Sequence, residues 1–114
     1  MKTTRVSFDM HNARRDRRYP APPLVITIDD GEYTTLNWSL GGFLITGFDR
    51  RISPGKPIAG TLGTPEQPVM IEFSAKVVRV GEPVAGQLAV QFTDLGEHGL
   101  SVLERILTRR MFRG

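Results

Sequence analysis

The chain has 114 residues, 39% of them hydrophobic and 24% charged, with no cysteine and a formal net charge of +3. That length suits one domain with its own core, and the composition is that of a globular protein rather than a disordered or fibrous one. The missing thiols exclude disulfide stapling, thiolate metal sites and cysteine nucleophiles.

Residues 1–13 have no hydrophobic periodicity, so they read as a flexible N-terminal segment. No apolar run reaches the length of a signal peptide or a bilayer span, so a cytoplasmic protein without membrane insertion is expected. The stretch "RRDRRYPAPP" then packs Arg14, Arg15, Arg17 and Arg18 into five positions before turning apolar and proline-rich. Over residues 1–20 these arginines, with Lys2 and Arg5 and against Asp9 and Asp16, give +4. Like charges at that density repel one another, and they signal a solvated tail or an anion contact.

From Leu24 onward turn chemistry recurs every eight to twelve residues: Asp30-Gly31, Gly41-Gly42, Ser53-Pro54-Gly55, Gly63-Thr64-Pro65 and Gly81-Glu82-Pro83. Between these turns lie "LVITI", "YTTLNW", "FLITGF", "PIAGTL", "VMIEFSAKVVRV" and "GQLAVQF", six short β-branched or alternating runs. They predict an all-β domain, a small antiparallel barrel or a sandwich. Asp30-Gly31 reads as a type I′ hairpin turn, with positive φ at both central residues. In "HGLSVLERILTRRMFRG" the period changes, Leu100, Leu103, Ile106, Leu107 and Met111 recurring every three or four residues, which predicts a C-terminal amphipathic helix. Its start is signalled twice, by Asp94 with Glu97 and by Ser101 with Glu104. Arg109, Arg110 and Arg113 complement the negative end of the helix dipole.

The hexapeptide "NWSLGG" ends the second predicted strand. Extended backbone sends Asn37 and Ser39 to one face and Trp38 to the other, into the core. Asn offers an amide donor and a carbonyl acceptor, Ser a hydroxyl that does either, and Gly42 permits close approach of backbone or ligand, or positive φ. The set suits the edge of a base, although an ordinary polar turn accounts for it equally well. Catalytic readings find little support: His11 and His98 have no triad or metal spacing around them, and Asp29 and Asp30 fit a turn better than a carboxylate pair.

Arg14-x-x-x-Arg18 followed by Asn37-x-Ser39-x-x-Gly42 resembles the PilZ domain, the bacterial receptor module for cyclic di-GMP, and "GQLAVQFTDL" resembles that family's last strand leading into its helix. The resemblance implies a six-stranded antiparallel β-barrel with a C-terminal helix over residues 14–114. It also implies a non-enzymatic cyclic di-GMP receptor without catalytic residues, metal or other cofactor. Arg14 and Arg18, with Arg15 as a third, are implied to meet phosphate and guanine, Asn37 and Ser39 a guanine edge and its phosphate, and Gly42 to allow the approach; Arg17 is left open. A partner protein is expected to read an arginine segment that orders on the ligand. Two rivals remain, a PilZ-like interaction module that has lost its ligand and a basic nucleic-acid-binding barrel of the OB type. The motifs argue against the first, and the lack of an aromatic stacking platform against the second.

Overall fold

A computed structural model of the chain describes residues 17–82 and 84–113, with side chains as far as residue 108. Six strands follow the six predicted runs: β1 (Val25–Ile28), β2 (Gly31–Ser39), β3 (Gly42–Ile45), β4 (Pro57–Gly63), β5 (Ile71–Val80) and β6 (Leu88–Asp94), then one helix, α1 (Gly96–Arg113). All neighbours are antiparallel and the sheet closes in the order β1-β2-β3-β6-β5-β4, with β1 paired back onto β4. The domain is therefore a closed barrel and not a sandwich. Closure gives every strand two partners and so removes the exposed edges on which chains aggregate.

The core follows from alternation. In β5, Ile71, Phe73, Ala75 and Val77 are buried while Glu72, Ser74, Lys76 and Val78 are exposed. Phe43, Phe73 and Phe92 meet edge to face, with ring centroids 5.4, 5.7 and 5.8 Å apart. Trp38 is fully buried, and its indole N–H donates to the Pro22 carbonyl at 2.7 Å, so the expected core role holds and the indole's one polar group is satisfied. Val102 and Leu103 of α1 are buried in the same core. The helix comes close because position 99 is glycine: a Cβ there would stand 2.8 Å from Ile71 Cγ2 and 2.9 Å from Leu95 Cβ.

Of the two predicted helix starts the earlier is right. The Asp94 carboxylate accepts the Gly96 N–H at 2.8 Å, leaving Ser101 inside the helix. The first hairpin turn, by contrast, is displaced by one residue. Ile28 pairs with Gly31, so Asp29 and Asp30 are its central residues, and Asp29 but not Asp30 has positive φ, at 55°. Aspartate tolerates that conformation because its short carboxylate bonds locally. Gly31 is already strand, where a Cβ would lie 2.6 Å from the Tyr33 hydroxyl. Arg50, from the β3–β4 loop, donates to both turn carboxylates, to Asp29 and at 2.9 Å to Asp30. The bond to Asp29 is the main cause of a rise in the Arg50 pKa.

The ladder has a register shift at Thr93 of β6, where Ser74 pairs with Asp94 and Ala75 with Phe92, and two further β-bulges that position the site. Against β3, Thr35 pairs with Ile45 and Asn37 with Leu44, so Leu36 is the extra residue of β2; against β6, Val77 pairs with Val90 and Arg79 with Ala89, so Val78 is the extra residue of β5. A bulge changes which face the following side chains occupy. Accordingly Leu36 is exposed, and Val78 and Arg79 are exposed in succession. No helix among the described residues is long and apolar enough to cross a membrane.

Candidate functional site

Strand β1 covers only the first part of β2, and beyond it β2 has an open backbone on that side. Tyr19 fills part of the opening as an isolated antiparallel bridge to Trp38. Its N–H donates to the Trp38 carbonyl at 2.7 Å, and the Trp38 N–H donates back to the Tyr19 carbonyl at 3.0 Å. Antiparallel register then sets Arg18 beside Ser39, and the Arg18 guanidinium donates to Ser39 Oγ at 3.1 Å. Two segments twenty-one residues apart thus meet because one bridge fixes their alignment.

Ser39 is itself held rigidly. The residue is 1% exposed, and its Oγ also accepts the Gly41 N–H at 3.0 Å. A hydroxyl has two acceptor lone pairs and one proton, so these two donors occupy its acceptors and leave the O–H to donate. Asn37, on the other side of Trp38, is half-buried, and its Oδ1 is buried without a hydrogen-bond partner among the described residues. An unsatisfied buried acceptor costs about 1–3 kcal/mol, which a donor brought to it would relieve. Gly42 starts β3 opposite Gln91 of β6. A Cβ at Gly42 would collide with the Val90 carbonyl oxygen, so the close approach it allows is that of the neighbouring strand, and its φ is not positive.

These residues border an open concavity of about 560 Å³, lined among others by Arg18, Ser39, Gly42, Arg79, Gln91 and Asp94. Asn37 lies beside it without lining it. Arg14 and Arg15 fall outside the described residues, as do residues 1–13 and the side chains of Arg109, Arg110 and Arg113. The site therefore unites Arg18, Ser39 and Gly42, with Asn37 adjacent. Sequence reasoning missed Arg79, Gln91 and Asp94. For Arg79 a signal existed: period-two alternation through Ile71, Phe73, Ala75 and Val77 points position 79 into the core, where an unpaired guanidinium is untenable, so a bulge had to intervene.

A closed six-stranded barrel whose leader crosses the end of β2 to set an arginine against a serine defines a PilZ-type fold. The sequence profile of the PilZ domain matches residues 12–109, and the chain belongs to that family. No curated protein matches it. Among solved structures it is similar to the inhibitor of motility MotI/DgrA of Bacillus subtilis, with a TM-score of 0.64 and 17% identity over 85% of this chain, which spans 50% of that one. At this identity the likeness is one of fold.

Proposed function

We propose that the protein is a non-enzymatic cyclic di-GMP receptor. The observation that carries this reading is the Tyr19–Trp38 bridge, which seats the Arg18 guanidinium 3.1 Å from Ser39 Oγ at the mouth of the concavity. Cyclic di-GMP is a dianion with two guanines. Arginine suits both parts of it, because one planar fork bonds bidentately to the O6 and N7 of guanine or to two phosphate oxygens. The orphaned Asn37 oxygen is an acceptor suited to a guanine N–H, and the Ser39 hydroxyl proton to a phosphate oxygen.

In this proposal Arg14 and Arg15 bind alongside Arg18, with Tyr19 as the fixed point from which the arginine segment closes over the ligand. Neutralising several guanidinium groups at once removes their mutual repulsion, and part of the binding energy offsets the entropy of ordering the segment. A partner protein then reads the ordered surface. The ligand selects the closed arrangement only to the extent that it binds that arrangement better.

Calorimetry tests the reading. Cyclic di-GMP should bind the wild-type protein, and Arg14→Ala and Arg18→Ala should each abolish measurable binding. Absence of wild-type binding would favour an interaction module, and salt-sensitive oligonucleotide binding instead would favour a nucleic-acid barrel.

A further inference from the structure

The concavity has a second cationic wall that the motif arginines do not supply. Strand pairings define rows that run across the outside of the barrel. One passes from Ser39 through Gly42 and Gln91 to Lys76, and another from Asn37 through Leu44 and Ala89 to Arg79. Between them runs the row of Trp38, Phe43, Val90 and Val77, all buried and turned inward. Arg79 therefore stands in register with Asn37, three inter-strand steps away, or roughly 14 Å of sheet.

The Val78 bulge makes this possible, because strict alternation would have turned Arg79 into the core. Its guanidinium donates to the Glu82 carbonyl at 3.1 Å and forms no ion pair among the described residues. Asp94, the one carboxylate among the described lining residues, is engaged by the Gly96 N–H at the start of α1. Between the walls the floor is low, since Gly42 has no side chain and Ala89 only a methyl group.

We infer that Arg79 is a phosphate-binding residue of this site. The inference rests on the cyclic di-GMP reading above. Arg18 and Arg79 line the same concavity, and a dinucleotide lying on its Gly42–Ala89 floor comes within reach of both guanidinium groups.

The test is calorimetric titration of cyclic di-GMP into the full chain and its Arg79→Ala, Arg79→Lys and Arg18→Ala variants at two salt concentrations, with thermal unfolding to confirm that each variant folds. Arg79→Ala should weaken binding roughly tenfold or more, as expected for loss of a hydrogen bond between charged groups, and should flatten the salt dependence. Arg79→Lys keeps the point charge and should restore the salt dependence, with an affinity between those of the wild type and the alanine variant. If the wild type binds, Arg18→Ala does not, and Arg79→Ala binds as the wild type does, the role of Arg79 is overturned while the receptor reading stands. An alanine variant that binds more weakly than the wild type but with an unchanged salt dependence overturns phosphate as the group bound. No binding by the wild type overturns both.

Discussion

The two ends of β2 carry the same kinds of residue and use them in opposite ways. At its start, Asp29 and Asp30 form a hairpin turn that Arg50 spans, so acid and base satisfy each other in the open. At its end, Ser39 is buried with both acceptor positions engaged, Asn37 buries an oxygen without a hydrogen-bond partner among the described residues, and Gly42 lies against the backbone of β6. The first end is electrostatically closed and the second is built rigidly around groups left over. Closed polar clusters hold a fold together; a rigid rim with an unmet hydrogen bond marks where a ligand completes the arrangement.

Substitutions at the two ends should therefore differ in size, and at one position in sign. The largest effect is expected from Trp38→Ala, which empties a fully buried site and removes the indole bond that ties Pro22 to the barrel; urea unfolding should show a loss of about 3–5 kcal/mol. Gly42→Ala comes next, at roughly 1–3 kcal/mol, because its methyl group meets backbone that cannot yield without disturbing the β3–β6 ladder. Gly31→Ala, at the other end of the strand, meets only the tip of the Tyr33 side chain and should cost no more than about 1 kcal/mol. Equal losses for the two glycines would erase the distinction between the ends.

Asn37→Leu is expected to reverse the sign. Removing the orphaned amide should stabilise the unliganded protein by about 1 kcal/mol in the same unfolding assay while weakening cyclic di-GMP binding. The smallest effect belongs to Arg50→Ala, with a slight fall in the urea midpoint at low salt that vanishes at high salt and no change in ligand affinity. The raised Arg50 pKa fixes the sign of its pH dependence: the contribution is fully present below the ordinary arginine range and is lost only in strong alkali, so stability between pH 5 and 9 should show no step from this group.

The six strands and the helix were legible because alternation, turn residues and the final change of period all pointed the same way. The displaced hairpin shows where local chemistry misleads: Asp-Gly has strong turn propensity, but Ile28 pairs with Gly31, so Gly31 is strand and Asp29 takes the positive φ instead. The Leu36 bulge carries no local mark and the Val78 bulge shows only in the inward phase that alternation would give Arg79, because both displacements come from pairing with β3 and β6. For the same reason Ser39 and Gly42 could be chosen from a motif, whereas Arg79 could not. Its place in the site depends on register across three strands, and register is a property of the closed sheet rather than of any one segment.

The most direct measurement is a titration of isotope-labelled protein with cyclic di-GMP, following backbone amides by heteronuclear NMR. Shifts should concentrate at Arg18, Ser39, Gly41 and Gly42 and extend to Arg79, while Asp29, Asp30 and Arg50 stay in place. Movement concentrated at the hairpin end, or a spectrum indifferent to the nucleotide, would contradict the assignment of the ligand to the far end of β2.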